Sequence, residues 1–251
     1  MNGRLSGAVA VVTGSSRGLG KAIAIGFAGE GADLVINYLK NKDGAEETAE
    51  AAAKLGRKSL IVQADVSKRE DVKYLFEESI RTFGKIDILV NNAGINKRCR
   101  FEETTDDDWD QIMALNLKGP FICCQEVFPY MIDNKGGRII NMSSVASQYH
   151  GPKTVHYAVS KAGLNSLTKV LARYGADHNI LVNAVAPGLV LTDQTREEFE
   201  SGAAKPNIDL ALLKRPGTEQ DVVSACLFLA EKNQSYMTGQ VISVSGGAYL
   251  G

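Results

Sequence analysis

A chain of 251 residues with 44% hydrophobic side chains is long enough to bury a large core, which excludes a largely disordered protein. Its 28 Lys and Arg against 29 Asp and Glu leave a net charge of −1, which argues against a basic nucleic-acid surface or an acidic tail. Glycine is abundant, at 25 residues against 6 prolines, which points to many close backbone approaches.

The N-terminal stretch has one early arginine and an apolar run confined to 8–12, too short for a signal peptide. No run approaches the ~18 apolar residues of a membrane span. The cysteines, Cys99, Cys123, Cys124 and Cys226, form no C-x-x-C pair, so neither a zinc nor a redox motif is indicated. The expectation is a cytoplasmic protein with reduced thiols, no metal site, no membrane segment and no nucleic-acid partner.

Apolar, β-branched runs recur at 8–13, 33–37, 59–63, 86–91, 138–142, 181–186 and 241–244. Between them lie segments of helical character, among them 18–30, 42–55, 68–83 and 155–176. Strands alternating with helices predict βαβ units and a parallel sheet, and near-continuous apolar strands suit a sheet covered on both faces. The expected fold is α/β: a single domain over 1–251 with a seven-stranded, doubly wound parallel sheet and helices on both faces. Residues around 189–215 break the rhythm, being polar with Gly202 and Pro206, and read either as an insertion over a site or as surface variation.

The first strand runs into Thr13-Gly14-Ser15-Ser16-Arg17-Gly18-Leu19-Gly20 and then into a helix. Glycines let backbone amides approach a phosphate, and a helix N-terminus favours the pyrophosphate charge. A turn of this kind between a first strand and a helix predicts dinucleotide binding through Gly14, Ser16, Arg17, Gly18, Leu19 and Gly20. The end of the second strand, Asn37-Tyr38-Leu39-Lys40, has no acid to hold a ribose hydroxyl. Arg17 and Lys40 could instead meet a 2′-phosphate, which favours NADP(H) over NAD(H). Asp65 and Val66, after the third strand, are placed either to touch the adenine or to open the next helix.

Three Y-x-x-x-K pairs occur: Tyr38–Lys42, Tyr149–Lys153 and Tyr157–Lys161. The first sits at a strand end and the second contains Gly151-Pro152, which opposes a helix. Only Tyr157–Lys161 opens a long helical pattern that puts both side chains on one face. Ser144 precedes Tyr157 by thirteen residues, at the end of a strand.

With these residues the chain resembles the short-chain dehydrogenase/reductase family over essentially its whole length. The resemblance rests on the turn at 14–20, Asn91-Asn92-Ala93-Gly94, Asn116 in a later helix, Ser144, Tyr157 and Lys161, then Pro187-Gly188 and Thr192. It implies a Rossmann fold, a homotetramer, and a small-molecule carbonyl or alcohol as substrate. It further implies a cofactor floor at Asn91, Asn92, Ala93 and Gly94, with Pro187, Gly188 and Thr192 near the nicotinamide. The usual "DGG" aspartate is Ser245 here, and a position that is typically acidic is Tyr174.

Hydride transfer between nicotinamide and a carbonyl carbon requires one proton to move on the oxygen. Tyr157 is the expected general acid/base, Ser144 the donor that orients the carbonyl, and Asn116 the anchor of a water relay to Lys161. A tyrosine has a reference pKa near 10, so work near neutrality needs a shift worth about 4 kcal/mol. A Lys161 cation about 4 Å away is expected to supply most of it at an effective dielectric near 20. Lys161 is also expected to hold the nicotinamide ribose.

Beside this set, His156 is expected to pack or meet solvent, and His150, in the loop before the helix, is a minor candidate for a substrate contact. Arg98 and Arg100 are candidates for an anionic substrate group or a solvated pair, and Trp109 for a helix packing face. The nearest resemblances within the family are to 3-oxoacyl-[acyl-carrier-protein] reductases and to glucose- or gluconate-type dehydrogenases. Lys135 and His178 are weak candidates for an acidic carrier protein, whereas the polar loop 147–154 looks more like the sugar type. The two stay open. The competing function is a catalytically inactive nucleotide sensor, which the presence of both Tyr157 and Lys161 opposes.

Overall fold

The computed structural model describes residues 3–149, 154–192, 195–202 and 204–250. In chain order the first half holds β1 (Val9–Val12), α1 (Gly18–Gly29), β2 (Asp33–Tyr38), α2 (Lys42–Lys54), β3 (Ser59–Gln63), α3 (Arg69–Phe83) and β4 (Ile88–Asn91). The second half holds α4 (Asp106–Met113), α5 (Gly119–Asp133), β5 (Gly137–Met142), α6 (Val155–Ala176), β6 (Ile180–Pro187), α7 (Arg196–Glu200), α8 (Lys205–Leu210), α9 (Glu219–Ala230) and β7 (Val241–Val244). The seven strands form one sheet in the order β3-β2-β1-β4-β5-β6-β7, and every pair is parallel. This is the expected doubly wound Rossmann-type sheet.

Alternation along buried strands explains the two helical layers. In β1, Ala10 and Val12 point into a core with Ile23 and Phe27 of α1 and Val223 and Leu227 of α9. Val9 and Val11 point the other way, into a core with Leu75 and Phe76 of α3 and Val127 and Phe128 of α5. Neighbours on one strand thus serve opposite faces, so both faces must be covered and the strands carry no polar stripe. Only β7, at the sheet edge, is half-buried along its whole length.

The strand order turns at β1, which has β2 on one side and β4 on the other. Open α/β sheets bind ligands in the crevice at the carboxyl ends of the strands beside such a switch point. The chain leaving β1 at Thr13 and the chain leaving β4 at Asn91 therefore border one crevice. The region around 189–215 begins with a bridge between Val190 and Gly217 and contains α7 and α8. Trp109, expected on a packing face, is 37% exposed on α4, whose buried residue is Ile112. Among the described residues, no helix is long and apolar enough to cross a membrane.

Candidate active site

The glycine-rich turn is tied down from below. Thr13 Oγ1 accepts from the main-chain N–H groups of Asn92 and Ala93 at 2.9 and 3.0 Å. Asn92 Nδ2 in turn donates to Thr13 O and Gly14 O at 2.9 and 3.2 Å. A Cβ on Gly20 would overlap both Asn92 Nδ2 and Gly14 O, so the close crossing of α1 over the turn requires glycine there. Gly14 and Gly18 have φ of 63° and 53°. Among the described residues, nothing lies within 4 Å of where a Gly18 side chain would begin, so the turn faces open space. The first turn of α1, Gly18-Leu19-Gly20-Lys21, carries no acid, and Arg17 stands exposed at its N-cap. Ser16 is buried and Leu19 packs against the α1 core. This is a cradle for an anion at a helix N-terminus, and it fits the pyrophosphate of a dinucleotide.

Asn37 is a buried strut. Its Oδ1 accepts from Gly14 N at 3.0 Å and its Nδ2 donates to Ala64 O at 3.0 Å, linking the ends of β1, β2 and β3. Asp65 Oδ1 accepts from Ser67 N and Oγ at 3.0 and 2.6 Å, the turn that precedes α3. Val66 is buried in the core under α3 and α5. Lys40 is exposed at the rim, near the end of β2.

Across the crevice, Gly94 is exposed, and a Cβ there would lie 3.1 Å from Asn116 Oδ1 and 3.6 Å from Lys161 Nζ. The glycine leaves the crevice open above the lysine. Asn116 is not in a regular helix but in a π-helical segment, Ala114–Lys118, between α4 and α5. Its side chain is fully buried, accepting from Ile95 N at 2.9 Å and donating to Ile95 O at 2.8 Å and Ser160 Oγ at 3.3 Å. Asn91 faces inward: Nδ2 donates to Asn141 Oδ1 at 2.8 Å, and Asn141 Nδ2 to Thr168 Oγ1 at 2.9 Å. That polar chain anchors α6 to the sheet.

Tyr157 and Lys161 lie one turn apart on α6, with the Lys161 Nζ 5.7 Å from the Tyr157 ring centre. Lys161 is 5% exposed and donates to Met142 O at 2.6 Å; burial pulls its pKa down to about 8. Tyr157 is raised above the usual tyrosine value by burial, with a hydrogen bond from Ser144 and the Arg98 charge pulling the other way. The expected depression of Tyr157 by Lys161 is not found: the ammonium is bonded to Met142 O, and burial outweighs the Ser144 hydrogen bond and the Arg98 charge. Ser144 Oγ also accepts from Ala146 N at 3.1 Å, which leaves its proton for Tyr157.

Pro187 ends β6, and a Cβ on Gly188 would lie 2.9 Å from Ser245 Cα, so these two chain segments touch through glycine. Thr192 N donates to Thr195 Oγ1 at 2.9 Å. Of the loop cations, Lys97 pairs with Asp108 at 2.7 Å and Arg100 with Glu102, while Arg98 bears on Tyr157. His156 is fully buried; its Nδ1 accepts from Tyr157 N at 3.0 Å, and its Nε2 has no partner among the described residues. His150 and Lys153 lie outside the described residues.

No sequence motif singles out Ser143, Ser147 or Asn165 for a role at the site. Ser143 Oγ donates to Asn165 Oδ1 at 2.6 Å, and Asn165 Nδ2 donates to Ser147 Oγ at 2.8 Å. The signal was present: Asn165 follows Lys161 by four residues, on the stripe that already held the Y-x-x-x-K pair.

Residues 14–249 match the family model described as enoyl-(acyl carrier protein) reductase. The chain is 39% identical over 241 residues to 3-oxoacyl-[acyl-carrier-protein] reductase FabG of Staphylococcus epidermidis, covering 96% of this chain and 98% of that protein. It is 41% identical over 248 residues to 3beta-hydroxysteroid dehydrogenase 1 of Eggerthella lenta, covering 98% and 95%. A crystal structure from Agrobacterium tumefaciens, provisionally assigned as a gluconate dehydrogenase, superposes with a TM-score of 0.93 at 33% identity, over 97% of this chain and 96% of that one.

Proposed function

The chain belongs to the short-chain dehydrogenase/reductase family of oxidoreductases, and we propose that it interconverts a secondary alcohol and a carbonyl with NADP(H) in preference to NAD(H). The observation that carries this reading is the Ser144 hydroxyl bonded to Tyr157 on a helix whose next turn holds the buried Lys161 ammonium. When bound, the nicotinamide supplies or accepts the hydride.

The residues of the chain divide the remaining work. Gly14, Ser16, Arg17, Gly18, Leu19 and Gly20 hold the pyrophosphate, and Asn92, Ala93 and Gly94 form the floor beneath the cofactor. Pro187, Gly188 and Thr192 border the nicotinamide end. Arg17 and Lys40 take a 2′-phosphate as exposed cations on the rim. Asn37 shapes the pocket by holding Gly14, and Asp65 and Val66 close its adenine end through the turn before α3.

Tyr157 passes the proton to or from the substrate oxygen, and Ser144 donates to the same oxygen and orients it. Lys161 stays charged below its pKa of about 8 and holds the ribose, while the phenolate is favoured by the hydrogen bond from Ser144 and the Arg98 charge. Asn116 Oδ1 accepts one hydrogen bond, from Ile95 N, and keeps a second lone pair with which to anchor a water relay from Lys161. The segment around 189–215, with its two short helices, covers the substrate.

The substrate class that the curated relatives favour is a 3-oxoacyl thioester. A second reading, a sugar acid such as gluconate, is favoured by Arg98, whose charge is felt at Tyr157 and could meet a carboxylate. Assays with a 3-oxoacyl thioester, gluconate and a 3β-hydroxysteroid, each with NADP(H) and NAD(H), distinguish them. Turnover of the sugar acid that is lost in Arg98→Ala supports the second reading; turnover of the thioester that is indifferent to that change supports the first.

A further inference from the structure

Ser144 and Tyr157 come from different elements: the turn after β5 and the first turns of α6. Side chains join the two. Ser143 Oγ donates to Asn165 Oδ1 at 2.6 Å, and Asn165 Nδ2 donates to Ser147 Oγ at 2.8 Å. Ser147 Oγ then donates to Ser144 O at 2.6 Å. The donors run in one consistent order: Ser147 gives its proton to the Ser144 carbonyl, which also accepts from Ser147 N at 3.0 Å, and accepts from the Asn165 amide N–H, with the Asn165 carbonyl toward Ser143. Ser143 and Ser147 are 5% and 7% exposed, so an apolar side chain at 165 would take from Ser147 the amide donor and leave Ser143 only its longer contacts to Lys161 O and Ser147 Oγ, at 3.4 and 3.5 Å.

Asn165 sits two turns after Tyr157 and one turn after Lys161 on the same stripe of α6. The helix that carries the proton-transfer residue therefore also carries the amide that fixes the backbone of Ser144. We propose that Asn165 is a positioning residue that acts through Ser147 to hold the Ser144 hydroxyl on Tyr157. This rests on the reading of Ser144 and Tyr157 given above.

The test uses the full-length protein without cofactor or substrate. Tyrosine is labelled with carbon-13 at Cζ, the Tyr157 signal is assigned by its loss in Tyr157→Phe, and its shift and titration are followed by NMR. Because a donated hydrogen bond stabilises phenolate, Ser144→Ala should raise the Tyr157 titration midpoint. Asn165→Leu should raise it by at least half as much, and adding Asn165→Leu to Ser144→Ala should produce no further rise. Ser147→Ala, a small change that keeps the fold if Asn165→Leu does not, should act in the same direction. Wild-type behaviour of Tyr157 in the foldable variants, or a full extra rise in the double variant, overturns the proposal. A Tyr157 signal unmoved by Ser144→Ala overturns the Ser144–Tyr157 pairing as well, which separates failure of that reading from failure of this one.

Discussion

Lys161 shows what a functional residue costs at the scale of a single side chain. Burial lowers its pKa from 10.5 to about 8, so at neutral pH the folded protein holds a cation that water would hold better. The difference corresponds to about 3 kcal/mol. Below pH 8 both the folded and unfolded chains are protonated, and the penalty is fully present. From pH 8 to 10.5 the folded chain releases its proton first and the penalty fades. Lys161→Met should therefore be more stable than the parent by about 1–3 kcal/mol at pH 7, after the lost bond to Met142 O is counted. The gap should close toward pH 10.5, as read by urea unfolding at several pH values. The same variant should lose turnover. A variant less stable than the parent at pH 7 would show that the Lys161 charge is satisfied where it lies.

At the scale of elements, the glycine-rich turn and the first turn of α1 work as one piece. Gly20→Ala drives a methyl into Asn92 Nδ2 and Gly14 O, both of which hold the turn. It should cost more than about 2 kcal/mol and weaken nucleotide binding at least tenfold, measured by calorimetric titration with NADPH. Gly18→Ala meets no atom among the described residues but must adopt φ of 53°, so it should cost only about 1 kcal/mol.

The strands were legible in the sequence to within two residues, and α6 at both ends, because a sheet buried on both faces writes continuous apolar runs between helical segments. The Y-x-x-x-K stripe and the glycine turn were legible for the same reason: their spacing is local. What escaped was non-local. The π-helical segment at 114–118 depends on one extra residue per turn, which an apolar pattern does not mark. The inward turn of Asn91 and Asn37 depends on partners 50 and 27 residues away. The direction of the Tyr157 shift could not be read either, since it depends on where the Lys161 ammonium points.

Over the whole molecule, a net charge of −1 gives no general attraction for phosphate, so selection must be local. Replacing Arg17 and Lys40 together with alanine should weaken NADPH binding at least tenfold and leave NADH binding nearly unchanged; equal losses for both would mean that the two cations do not select the 2′-phosphate. The half-buried edge strand β7 and the exposed Tyr174 and Phe228 leave apolar surface for the homotetramer that the family resemblance implies. Light scattering should give four times the chain mass, and a monomer would contradict that assembly. The most direct test of the central claim compares wild type with Tyr157→Phe in the substrate panel, following nicotinamide absorbance at saturating NADPH. Wild type should turn over, and Tyr157→Phe should lose about 10²-fold or more in kcat with NADPH binding undiminished. Equal kcat for the two proteins would contradict the central claim.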